Sequence, residues 1–76
     1  MTQREEILNY IKEFGSITPM DAFYELGITK LATRVSEMRR DGVVFKIETV
    51  KHMGKRGKIV RYARYSLLEE SNATHI

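Results

Sequence analysis

The stretch TPMDAFYELGITKLATRVSEMRRDG, from Thr18 to Gly42, constrains the fold more than any other part of the chain. Thr18-Pro19 opens a helix, with Thr18 as N-cap, Pro19 at the first helical position and Asp21 near the positive dipole end. Met20, Ala22, Phe23 and Leu26 supply its apolar contacts, and Gly27 closes it after about two turns. Only Gly27 and Ile28 separate this helix from a third one, for which Thr29 is the expected N-cap. So short a link makes the two helices cross steeply rather than lie antiparallel. The third helix is expected from Lys30 to about Asp41, stopping at Gly42. Leu31, Val35 and Met38 recur at i, i+4 and i+7 and form its core stripe. At 100° per residue the opposite face carries Thr29, Thr33, Ser36 and Arg40, with Lys30 and Glu37 on one flank. Arg34 and Arg39 fall nearer the core boundary.

The flanking segments complete a small fold. Thr2-Gln-Arg-Glu5 has the form of a capping box. Ile7, Ile11 and Phe14 then recur at i, i+4 and i+7 with Leu8 beside them, and Gly15 is placed to end this first helix. Ser16-Ile17 is too short for a strand, but long enough for one edge pairing with a later hairpin. After Gly42 the period changes to two. Val43 to Lys51 places Phe45, Ile47 and Thr49 on one face and Lys46, Glu48 and Val50 on the other. His52 to Lys58 reads as a turn. Ile59 to Leu67 places Ala63, Tyr65 and Leu67 opposite Val60, Tyr62 and Arg64. This is a β-hairpin with a basic tip, and the inward face of its second strand is open because Ile59 and Val60 are both apolar. Periodicity ends at Glu69, and residues 69–76 are expected to form a loose tail beyond a domain of residues 1–68.

The 76 residues allow one domain, and a chain this short buries only about 60 % of its unfolded surface. Without Cys it has no disulfide and no thiolate metal site. No apolar run approaches the roughly 18 residues of a membrane span, and the polar start is unlike a signal peptide, so a cytoplasmic location without membrane contact is expected. The net charge of +3 hides an asymmetry. Lys30 to Arg64 holds eleven Lys and Arg against Glu37, Asp41 and Glu48, whereas the rest holds Arg4 and Lys12 against seven acids. A basic part beside an acidic part points to a polyanion-binding face with a solvated opposite side.

Three helices followed by a β-hairpin, with a tight turn between the second and third, resemble the winged helix-turn-helix family. The resemblance spans Gln3 to about Leu68. It rests on the Gly27-Ile28-Thr29 turn, the Leu31/Val35/Met38 stripe, the Arg39-Arg40-Asp41-Gly42 helix exit and the Arg61-Tyr-Ala-Arg-Tyr-Ser-Leu67 strand. The stretch from Ser16 to Gly42 is similar in particular to small helix-turn-helix proteins of bacteriophages and prophages. The resemblance implies an α+β winged helix that binds double-stranded DNA as a bacterial or phage transcriptional regulator, or as an architectural factor. It would work in the cytoplasm at the nucleoid, or in the host cytoplasm if phage-encoded. The third helix would enter the major groove, and the wing would contact the backbone or the minor groove.

On that reading the recognition helix offers Thr29, Lys30, Thr33, Arg34, Ser36, Glu37 and Arg40, short polar and long basic side chains suited to base edges and phosphates. Glu37 can accept from a cytosine amino group or pair with Arg34 or Arg40. An ordinary solvated helix would carry similar residues; the charge asymmetry and the wing favour DNA. The wing offers Lys51, His52, Lys55, Arg56, Lys58 and Arg61, with Arg64 adding charge if its face allows. Gly54 and Gly57 let the backbone turn close to a phosphate. A hairpin tip charged only for solubility is the plainer alternative. Gly54-Lys-Arg-Gly57 also fits the GXXG loop of RNA-binding KH domains, but that loop joins helices and here both flanks are β-branched.

Other chemistry finds little support. His52 and His75 have no metal-ligand partner at a workable spacing. The serines lack a His/Asp constellation, and Glu5-Glu6 and Glu69-Glu70 are adjacent solvated acids. Neither enzymatic activity nor a cofactor is expected. The competing class is a winged helix used for protein contact, a phage adaptor or inhibitor whose basic face meets an acidic partner. Self-association through the first helix or the tail is also open, because one small monomer covers only a short DNA site.

Overall fold

The structure is a computed structural model and describes residues 1–68. Helix α1 runs Gln3–Phe14, α2 Pro19–Leu26 and α3 Leu31–Arg40; strands β1, Phe45–Met53, and β2, Ile59–Leu67, form an antiparallel hairpin. The expected tail at 69–76 lies outside the described residues.

Local chemistry starts and stops the first two helices as the residue types dictate. The Thr2 hydroxyl accepts from the Glu5 amide at 3.1 Å, and the Glu5 carboxylate accepts from the Thr2 amide at 2.9 Å. Thr18 and Asp21 repeat the arrangement at 3.2 and 3.0 Å. Each box satisfies amides that the helix itself leaves unbonded. Gly27 ends α2 at φ 70°, a left-handed conformation in which a Cβ would be strained.

The turn into α3 departs from expectation. Lys30, not Thr29, occupies the N-cap position, and no side chain caps the helix. The reason is Ile28. It is 1 % exposed and its amide donates to the Ala22 carbonyl at 2.9 Å, so the chain must first drive this side chain into the core. Helical geometry begins only after Thr29 and Lys30 have brought the backbone back out. At its far end α3 stops at Arg40 with Asp41 as C-cap, slightly short of the expected end.

The core consists of Ile7, Ile11, Ile17, Ala22, Ile28, the α3 stripe Leu31/Val35/Met38, Phe45 and Tyr65. Three residues expected to make apolar contacts are instead exposed: Phe14, Met20 and Phe23. Phe14 lies in the last turn of α1, and its ring leans on Tyr10, tilted by 43° with centroids 4.6 Å apart. In α2 only Ala22 is fully buried; the helix is so short and so close to its neighbours that a small residue fills the contact.

Ile17 forms the expected edge pairing. It exchanges backbone hydrogen bonds with Tyr65 at 2.8 and 2.9 Å, which ties the link between α1 and α2 to β2. Strand β1 begins at Phe45, later than expected, because the Val43 amide is still bonded to the Met38 carbonyl at the α3 exit. It runs on to Met53, and the turn shrinks to the residues around Gly54 to Lys58. The register pairs Phe45 with Leu67, Ile47 with Tyr65, Lys51 with Arg61 and Met53 with Ile59. The inward face is therefore the one bearing Phe45, Ala63, Tyr65 and Leu67, and Tyr65 is the buried one of the two strand tyrosines while Tyr62 stays exposed. The nine-residue strands, about 30 Å long at 3.3 Å per residue, outreach the core, so their distal halves project. The molecule measures 47 × 27 × 22 Å.

Candidate nucleic-acid interface

The buried α3 stripe turns the other side of that helix to solvent. Thr29, Lys30, Thr33, Ser36 and Arg40 are all exposed, as is Arg39 in the last turn. Arg34 and Glu37 are only partly exposed and face α1. There the Arg34 guanidinium donates to both Glu37 oxygens at 2.8 and 3.0 Å. Arg4 on α1 donates to Glu37 at 3.4 Å and to Asp41 at 2.7 Å. The hydrogen bonds from Arg34, seconded by those from Arg4, hold the Glu37 carboxyl below its ordinary pKa, and the Asp41 carboxylate raises that of Arg4. Of the two partners the sequence offered for Glu37 on its own helix, Arg34 takes the bond, and Arg40 makes no ion pair among the described residues. Nothing local in the sequence announces Arg4, whose partners lie 33 and 37 positions away.

The hairpin repeats this sorting. Near the body, Glu48 accepts from Arg64 at 3.0 and 3.2 Å and lies 3.7 Å from the Lys46 ammonium. The Arg64 hydrogen bonds dominate in lowering the Glu48 pKa. Farther out, Lys51, Lys55, Arg56, Lys58 and Arg61 are exposed, and none makes an ion pair among the described residues. Lys51 and Arg61 lie directly opposite each other on one face, a like-charge cross-strand pair of the destabilising kind. His52 stands on the other face, opposite Val60, and lines a groove that runs towards Pro19, Met20 and Phe23 of α2. It is thus set apart from the wing cations with which it was grouped by sequence. At the tip the Gly54 amide donates to the Lys58 carbonyl at 2.6 Å, and Gly57 turns the chain with φ 77°. A Cβ on Gly54 would come within 3.2 Å of that same carbonyl oxygen.

Four of the thirteen Lys and Arg, namely Arg4, Arg34, Lys46 and Arg64, are thus neutralised by described acids. Those left without an ion pair, apart from Lys12, lie on the outer and terminal parts of α3 or on the distal hairpin. Among the described residues no group of three or more His, Asp or Glu is placed to hold a metal ion, and no helix is long and apolar enough to cross a membrane.

Three helices, a steep turn between the second and third, and a basic hairpin define a winged helix of the DNA-binding class. The chain belongs to the winged helix-turn-helix domain family, whose model matches residues 2–70. No curated protein and no solved structure matches it. The family is typically one of non-enzymatic DNA-binding domains, which makes DNA the general class of partner.

Proposed function

We propose that this protein binds double-stranded DNA as a bacterial or phage regulator or architectural factor, acting in the cytoplasm. The outer face of α3 enters the major groove. Lys30, Thr33 and Arg40 make its base or phosphate contacts, with Thr29 and Ser36 beside them. Lys51, Lys55, Arg56, Lys58 and Arg61 hold the adjacent backbone or minor groove. The observation that carries this reading is the sorting of charge: among the described residues, acids pair with Arg4, Arg34, Lys46 and Arg64 and leave the cations of the outer α3 face and distal wing without an ion pair. A protein that only needed solubility would gain nothing from placing Lys51 against Arg61. Phosphates relieve that repulsion and release counterions when they are neutralised.

Titration of a labelled duplex of arbitrary sequence tests it. Binding is expected at low salt, with log K falling linearly as log salt rises at about −0.9 per phosphate neutralised. A second reading, a protein-contact module, is favoured by the exposed apolar strip of Met20, Phe23 and Tyr24 on α2. It predicts no duplex binding at any salt concentration.

A further inference from the structure

The distal wing carries two large apolar side chains that neither the core nor α2 covers. Met53 and Ile59 face each other across the hairpin and are 63 % and 55 % exposed. The Gly54–Lys58 hydrogen bond marks the next position as a bonded pair. Met53 and Ile59 therefore form a non-bonded pair, the kind in which side chains stand closer together. One step back on the same face is the Lys51–Arg61 pair, and at the other end the turn supplies Lys55 and Arg56. Two apolar side chains thus lie between the Lys51–Arg61 pair and the turn cations Lys55 and Arg56, a frame of four cations that make no ion pair among the described residues.

This arrangement selects its occupant. A second copy pairing through the same face would set two such cationic frames against each other. An apolar protein surface would leave the frame unsatisfied. The minor groove of B-form DNA has the complementary layout, with phosphate rims outside and apolar deoxyribose walls within, and proteins that bind it with Arg and Lys frequently also insert apolar side chains such as Ile or Met. We infer that Met53 and Ile59 form an apolar tongue that seats against the sugar walls of the minor groove while the flanking cations grip the two rims. The inference rests on the DNA reading above and adds a contact that salt does not screen. A·T-rich sites, whose narrow minor groove has the stronger negative potential, would be preferred by the flanking cations.

The test compares the full chain with Met53→Ser/Ile59→Thr on a short A·T-rich DNA duplex across a salt series. The variant is expected to lose about tenfold in affinity, equal to about 1.4 kcal/mol, while the salt slope stays that of the parent because no phosphate contact is removed. Met53→Leu/Ile59→Val, which keeps the side chains apolar, is expected to bind like the parent. Amide spectra check that the hairpin persists; if the double variant loses it, Ile59→Thr alone, β-branched like its parent, replaces it. Parent-like binding by the polar variant overturns the tongue, as does a reduced salt slope. So does tighter binding to a double-stranded RNA of the same sequence, or a parent dimer that the polar variant dissolves. If the parent itself binds no duplex, it is the DNA reading that fails.

Discussion

Arg34 donates two hydrogen bonds from one guanidinium nitrogen to the two carboxylate oxygens of Glu37, at 2.8 and 3.0 Å, one turn apart on α3. The pair lies on the flank of α3 rather than on its outer face, and Arg4 reaches across from α1 to join it. Arg34 and Arg4 are thereby held by intramolecular carboxylates, Arg34 by Glu37 and Arg4 chiefly by Asp41. Among the described residues the Arg34 Nε is buried without a hydrogen-bond partner.

Replacing Glu37 with Gln should therefore strengthen binding to duplex DNA of any sequence. Release of Arg34 should steepen the salt dependence by about one phosphate contact, about 0.9 in the log–log slope, while Arg4 stays with Asp41. Isothermal titration across a salt series measures this. Weaker binding with a changed base preference would instead mean that Glu37 itself contacts a base.

Acid should destabilise the fold through the same carboxylates. Glu37 and Glu48 have folded pKa values below the ordinary 4.5, chiefly because of hydrogen bonds from Arg34 and Arg64. A depressed carboxyl pKa stabilises the folded state at pH values above the unfolded pKa. That contribution disappears as pH falls from about 4.5 through the lower folded values. Thermal melts taken from neutral pH downward should show a falling midpoint in this window, and Glu37→Gln/Glu48→Gln should flatten part of the fall. Because both pairs are partly exposed, solvent screening keeps the effect small.

Selectivity and grip should separate by element. Lys55→Ala/Arg56→Ala should weaken binding to all duplexes about equally and reduce the salt slope by about two contacts. Thr33→Ala or Arg40→Ala should change which sequences are enriched from a random duplex pool. A sequence-selective loss from the wing variant would refute its phosphate role.

The turn between α2 and α3 should be the stability hinge of the domain. Ile28→Ala is expected to cost about 2–5 kcal/mol, since it empties a fully enclosed core position. Thr18→Ala should cost about 1 kcal/mol by opening one capping box. Chemical denaturation gives both values, and a near-neutral Ile28→Ala would show that the turn does not need its core anchor.

Much of this fold was legible because its signals are local. Thr2 with Glu5, Thr18 with Asp21, Pro19 and Gly27 act within a few residues of themselves, and the periods of α3 and the hairpin report which faces are inward. What escaped depends on partners distant in sequence. Phe14, Met20 and Phe23 are apolar residues on helices, yet the core does not cover them. Thr29 is a good cap residue that loses its place to the burial of Ile28. In the candidate site, the exposed residues of α3 followed from the Leu31/Val35/Met38 stripe. The quenching of Arg34 by Glu37 was one of two possibilities the spacing allowed, and the part played by Arg4 had no local signal.

The most direct test of the account is amide chemical-shift mapping of the full chain on adding a short DNA duplex at low salt. The account predicts that shifts move along the exposed side of α3, from Thr29 to Arg40, and in the wing from Lys51 to Arg61, and that they retreat as salt is raised. The acidic outer face of α1 around Glu13 should stay still. Unmoved α3 and wing resonances at low salt would contradict it.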